Sequence, residues 1–170
     1  MTIEIYALSV LRRGPVHGYE LKRRVQRPSI AAVNNNSLYP ALRRLEQSGA
    51  VTKTVELQEG RPARNVYALT PRGRELLTEL VSTLPPDLAS DDEEFLLRVS
   101  FFDELAVPAR RAVLRARQDV VEAALAQVRS LLADADPARS WRRRAQEQLV
   151  ERLEQELLWI EALRGEAEQP

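Results

Sequence analysis

The sequence predicts a mostly α-helical chain with one small β-hairpin, and three observations carry that expectation. Apolar residues recur at helical spacing over most of the chain. The period drops to two only between Val51 and Leu69, on either side of Gln58-Glu59-Gly60-Arg61-Pro62-Ala63, which has turn chemistry. After Pro85-Pro86 the helical spacing returns and is sustained to the end.

Ile3–Leu11 is apolar on most sides and reads as a buried first helix, with Thr2 as its cap and Gly14-Pro15 as its stop. A second short helix runs from about Gly18 to Gln26. Tyr19, Leu21 and Val25 are its apolar contacts, Lys22, Arg23, Arg24 and Arg27 lie away from them, and Pro28 ends it. Ser29–Asn36 connects to a third helix of about three turns over Ser37–Ser48. There Leu38, Ala41, Leu42 and Leu45 form the seat, while Pro40, Arg43, Arg44 and Gln47 fall on the other side. Ser37 is its expected N-cap, which makes Pro40 the third helical residue, where a missing N–H costs little. Gly49 is the expected left-handed stop. The hairpin follows, and Thr70-Pro71 opens a closing helix. Three helices, a hairpin and a closing helix make a winged helix-turn-helix over residues 1–84.

Residues 85–170 read as a helical dimerisation domain. Ser90-Asp91-Asp92-Glu93 reads as a capping box. Asp91–Glu94 could instead bind a metal, but helix-end charge is the favoured reading and no metal is expected. The helix carries Phe95, Leu96, Leu97, Val99, Phe101 and Phe102. Pro108 starts the next one, which ends near Leu132, and Asp136-Pro137 starts the last. Val150, Leu153, Leu157 and Ile160 in that last helix are spaced 3, 4, 3, a heptad seam. At up to about 29 residues it would be ~43 Å long, too long for so small a chain to cover, so the seam is expected to pack in a two-fold dimer.

Composition bounds the function. The chain has 170 residues, 44% hydrophobic and 29% charged, as expected of a globular protein. With no cysteine and one histidine, thiol chemistry, thiolate or polyhistidine metal sites and a histidine-based catalytic set are excluded, so no enzyme activity and no cofactor are expected. No run spans a bilayer and no leader is recognisable, so the protein is expected to be cytoplasmic, with no membrane partner. The net charge is zero, but residues 1–80 carry 13 basic and 7 acidic side chains and residues 81–170 carry 12 and 18. The basic half is the footprint expected for a polyanion partner.

The residues also resemble a family. His17-Gly18-Tyr19-Glu20, Ser37-Leu38-Tyr39-Pro40-Ala41-Leu42-Arg43-Arg44-Leu45-Glu46, Gly60-Arg61-Pro62-Ala63-Arg64 and Tyr67-Ala68-Leu69-Thr70-Pro71-Arg72-Gly73 are similar to the PadR family of transcriptional regulators. Residues 90–165 look like the helical C-terminal domain of its longer subfamily. The resemblance implies a homodimer on a pseudo-palindromic double-stranded DNA operator, usually as a repressor, released in many members by a small, often aromatic, molecule.

On this reading Tyr39 and Arg43 are the candidate base or groove contacts, the alternative being that both touch only phosphates. Asn36 and Pro40 share the DNA-facing start of the helix. Ser37, Arg44, Lys53 and Arg64 are assigned to phosphates, and Arg61 to the wing tip and a minor groove. His17, Tyr19 and Lys22 are further candidates for the DNA backbone, with a structural imidazole for His17 and a core position for Tyr19 as alternatives. Trp141 and Trp159 either line an aromatic effector pocket or pack in the core or dimer seam. The remaining alternative function is a winged-helix module that turns its basic face on an acidic protein rather than on DNA.

Overall fold

The structure, a computed structural model, describes residues 2–25, 35–58, 61–133 and 140–168. They form two compact units, 1–81 and 82–170.

The first unit is built around α1 (Thr2–Leu11), whose Ile5, Ala7, Leu8 and Leu11 are buried. It packs on α2 (Gly18–Val25), α3 (Asn35–Gln47) and α4 (Pro71–Val81). Leu21 and Val25 of α2 and Leu38, Ala41, Leu42 and Leu45 of α3 close the core over it. Each of the leucines and the valine contributes about 1.5–3 kcal/mol by leaving water. Tyr19, expected among the apolar contacts of α2, stands 77% exposed. The turn that brings Leu21 inward carries its neighbour two residues earlier outward.

α3 begins three residues before the first helical position expected after a Ser37 cap, so Ser37 lies inside it and is not its N-cap. Pro40 is then the sixth helical residue. It removes the bond its N–H would have made to the carbonyl of residue 36, a cost the leucine seat must offset. The C-terminal stop is as expected. Gly49 has φ +72°, Ala50 N–H donates to Leu45 C=O at 2.9 Å and Gly49 N–H to Glu46 C=O at 3.0 Å. This is a Schellman closure, with Leu45 and Ala50 both buried beneath it.

The sheet has three antiparallel strands rather than two, ordered β1-β3-β2. The added strand β1 (Val16–His17) pairs Val16 with Tyr67 and His17 with Val66; two residues are too few for a period-two signal. β2 (Val51–Gln58) and β3 (Arg61–Leu69) run further toward the tip than expected, with an irregularity between Glu56 and Gln58. Arg61 therefore sits in a strand opposite Gln58, and residues 59–60 lie outside the described residues.

Thr70 caps α4 as expected: Gly73 N–H donates to Thr70 Oγ1 at 3.0 Å. The same hydroxyl lies 2.7 Å from Gly49 O and 3.0 Å from Ala50 O, and Thr70 N–H donates to Ala50 O at 3.1 Å. A Cβ on Gly73 would lie 2.1 Å from Ala50 O and 2.5 Å from Leu69 Cδ1. Only a residue without a side chain lets α4 start this close to the end of α3.

In the second unit α5 (Asp92–Val99) is capped by Asp91, whose Oδ1 accepts from Glu93 N–H at 2.8 Å and Glu94 N–H at 3.2 Å. Ser90, the expected cap, lies one residue too early. The helix ends before Phe101, and Phe102–Glu104 form a single 3-10 turn. α6 (Val107–Ala133) and α7 (Ser140–Ala167) then pack along one another. Asp136-Pro137, the expected start of the last helix, lies outside the described residues.

The 3-4-3 seam is used inside the chain. Leu153 and Ile160 are buried with Val113, Leu114, Val121 and Leu125 of α6, and Val150 and Leu157 pack on the same cluster. The expectation that this stripe waits for a second subunit is corrected, because α6 is long enough to cover it. Two arginines are buried here. Arg98 Nη1 donates to Glu94 Oε2 at 2.6 Å and to Glu94 O at 2.8 Å. Arg117 donates through Nε to Glu156 at 2.6 Å, through Nη1 to Ala89 O at 2.8 Å and through Nη2 to Asp92, and lies 5.4 Å from the centre of the Phe95 ring. Burial pulls the Arg117 pKa down, but the bonds to Glu156 and Asp92 outweigh it and leave the guanidinium more firmly protonated than usual. No helix among the described residues is long and apolar enough to cross a membrane.

Two stability outcomes follow, and the chain carries its own probes for them. All four tyrosines lie before residue 68 and both tryptophans after residue 140. Gly73→Ala should destabilise the first unit by ~3 kcal/mol, since the clash is with backbone. Tyrosine absorbance should show the lowered melting transition, with tryptophan emission less affected. Arg117→Ala strands Glu156 and should cost ~2–4 kcal/mol, visible first in tryptophan emission. An Arg117→Ala protein melting within a degree of the parent would mean that the buried charges contribute nothing net.

Candidate nucleic-acid interface

The leucine seat of α3 decides which side chains face out. With Leu38, Ala41, Leu42 and Leu45 buried, Tyr39, Pro40, Arg43 and Arg44 are left exposed. Tyr39 is 44% exposed. Asn36, Ser37 and Arg61 belong to α3 and β3 by their backbone, but their side chains lie outside what the structure describes.

The sheet supplies the next residues. Lys53 and Arg64 are exposed on β2 and β3, in register with Tyr67 and Glu56 respectively. His17 at the end of β1 has Nδ1 4.0 Å from Glu56 Oε2. A cleft of about 440 Å3 opens where these elements meet the start of α2. His17, Tyr19, Tyr39 and Arg64 line it together with Asn65 and Tyr67. Four of the residues singled out in the sequence thus share one cleft. Asn65 and Tyr67 were missed: in sequence they are strand residues, and only the pairing of β3 with β1 sets them beside His17. Burial, with the nearby charge of Glu46, pushes the Tyr67 phenol pKa up.

Charge on this face is lower than a count of arginines suggests. Arg23 and Arg24 of α2 both reach Glu20, at 2.9 and 2.8 Å. Hydrogen bonds from Arg24 and then Arg23 hold the Glu20 carboxyl below its usual range. The trio carries one net positive charge, leaving half-buried Lys22 as the other cation of α2. Arg44 is held by Glu4 of α1 at 2.7 Å.

A family model with the description "Transcriptional regulator PadR-like family" matches residues 7–79, the stretch that carries this face. Over 77 residues the chain is 36% identical to the transcriptional regulator Rv3488 of Mycobacterium tuberculosis, covering 45% of this chain and 70% of that one. The chain belongs to the PadR-like family of transcriptional regulators. It is also 33% identical over 109 residues to an uncharacterized 37.1 kDa protein in transposon TN4556 of Streptomyces fradiae, covering 61% of this chain but only 29% of that longer protein. Among solved structures, Bacillus subtilis PadR in complex with operator DNA is similar with a TM-score of 0.47 at 18% identity, over 99% of this chain and 100% of that one.

The two tryptophans do not share a site. Trp141 and Trp159 are 18 residues apart on α7, roughly 27 Å along its axis. Trp141 is 79% exposed, with Arg144 over its ring at 5.1 Å. Trp159 meets Phe95 edge-on at 5.8 Å. A cleft of about 610 Å3 in this unit is lined by Val99, Phe102, Asp103, Arg110, Leu163, Glu166 and Ala167, and includes neither. One aromatic pocket holding both tryptophans of a chain is therefore excluded by helix geometry. Among the described residues no group of carboxylates or histidine is arranged to hold a metal ion.

The exposure of the tyrosines can be read chemically. Tetranitromethane attacks accessible phenolate, so Tyr19 and Tyr39 should be nitrated first. Tyr67, buried and with a raised pKa, should be protected. Peptide mass spectrometry after brief reaction checks this; early nitration of Tyr67 would mean that β3 does not pack as described.

Proposed function

We propose that this chain is a sequence-specific DNA-binding transcriptional regulator that places α3 in the major groove and works as a homodimer on a pseudo-palindromic operator. The observation that carries the reading is the exposed Tyr39-Pro40-Arg43 edge above a fully buried leucine seat, in a unit whose sequence matches the family over residues 7–79. The seat fixes the helix, so an outward arginine can meet a guanine edge with both of its forked donors. Lys53 and Arg64 on the strands, and His17 and Tyr19 beside the cleft, suit phosphates on either side of that groove. With the in-chain seam occupied, adjacent Leu158 and Trp159, 65% and 40% exposed, become the apolar surface offered to a second subunit. Repression, and release by a small aromatic molecule, rest on the resemblance alone.

Selection of bound duplexes from a random pool, followed by retardation at stated salt, tests the reading. Nanomolar, sequence-dependent binding supports it; binding only to acidic proteins would favour the protein-interaction module. On the selected duplex Arg43→Ala should cost ~1–3 kcal/mol and relax preference at one base step per half-site. Lys53→Ala should weaken all duplexes alike and flatten the salt dependence by about one counterion per subunit. Equal losses on selected and random DNA for Arg43→Ala would make Arg43 a phosphate contact. Leu158→Glu should turn a dimer into a monomer by light scattering. A compound that releases the duplex must, by linkage, bind the DNA-loaded protein more weakly by the same factor.

A further inference from the structure

The cation next to Arg43 in the sequence is already engaged. Arg44 donates through Nε at 2.9 Å and Nη2 at 2.7 Å to the same oxygen of Glu4. Glu4 stands in the first turn of α1 and its side chain is only 18% exposed, whereas Arg44 is 59% exposed. The planar guanidinium has five N–H donors in a fixed fork. With Nε and Nη2 each giving one N–H to Glu4, three of the five donors are left over from that pair. The carboxylate therefore does two things at once. It holds the arginine in one orientation, and it cancels most of its charge at distances beyond a few ångströms.

We infer that Glu4 is a specificity-determining positioning residue: by clamping and neutralising Arg44, it lowers attraction to DNA in general while presenting a pre-oriented fork to a phosphate in operator register. The inference rests on the DNA-binding reading above. Non-specific binding is set by charge summed over the face, with little regard to geometry. A register-specific contact depends on geometry, and a clamped fork loses less side-chain entropy on meeting its phosphate. Glu4 weakens the first term and strengthens the second.

The experiment compares the full-length parent, Glu4→Gln, Arg44→Ala and the double variant on a selected duplex and on a random-sequence duplex of equal length, between 50 and 200 mM salt. Glutamine keeps an oxygen for the fork and removes the charge. Glu4→Gln should bind random DNA about three- to tenfold more tightly at low salt, with a salt slope steeper by about one counterion per subunit. Affinity for the selected duplex should change by less than about twofold, so the ratio between the two falls. In the Arg44→Ala background the same substitution still removes one acid from the face but has no fork to release, so it should tighten both duplexes alike and leave their ratio unchanged, a result that simple loss of stability in α1 would not produce. Should Glu4→Gln fail to fold, Arg44→Lys carries the test. It keeps the charge but not the fork, and should lose affinity for the selected duplex while keeping the salt slope. An unchanged ratio in Glu4→Gln, or an equal fall in the ratio with and without Arg44, overturns the inference. A parent that prefers no sequence overturns the DNA-binding reading instead, and the random-duplex slope still reports whether Glu4 screens Arg44.

Discussion

Everything in the first unit hangs on the contact between the Gly49-Ala50 carbonyls and the start of α4. Four elements meet there: α3 ends, β2 begins, β3 ends and α4 begins. One threonine serves the junction twice, its N–H and hydroxyl reaching back to Ala50 while the hydroxyl also accepts from Gly73. Buried carbonyls at a helix end would otherwise lack partners. The absence of a side chain at residue 73 makes the approach possible. This junction pins the C-terminal end of α3, while the leucine seat along the helix fixes the face that carries Tyr39 and Arg43.

The electrostatic character of the candidate interface comes from pairing as much as from counting. Glu20 holds two arginines of α2 and Glu4 holds one of α3. Such exposed pairs add little to stability, so their effect on partner binding is the larger consequence. A face that kept every arginine free would bind any polyanion. Here the cations left facing outward are fewer and are spread over α3 and the strands, where spacing can matter.

The second unit solves a different problem with the same physics. A long helix with an apolar seam needs a cover, and α6 provides it over most of its length. That uses up the seam and leaves Leu158 and Trp159 on the outside. The buried arginines tie the short α5 to this pair: Arg117 bridges Asp92 at its start, Glu156 on α7 and the ring of Phe95. Such a network fixes α5 in one place because every other placement leaves a buried charge unpaired.

The sequence by itself determined the helices with strong periodicity, the stops at Gly14 and Gly49, the threonine cap at residue 70, and the outward set Tyr39, Pro40, Arg43 and Arg44. These follow from local rules: which residues can end a helix, and which side of a 3.6-residue repeat is apolar. It misjudged the N-caps at Ser37 and Ser90, where neighbouring polar residues compete for the role and the choice depends on where the chain enters the core. Only the tertiary structure decided the rest. β1 is too short to announce itself and exists because β3 offers an edge. Tyr19 points out because Leu21 must point in. The 3-4-3 seam of α7 looks the same whether its partner is another subunit or α6, since a heptad pattern states that a helix needs a neighbour and not which one. The bond between Glu4 and Arg44 joins residues 40 positions apart, and no local pattern carries information across that distance.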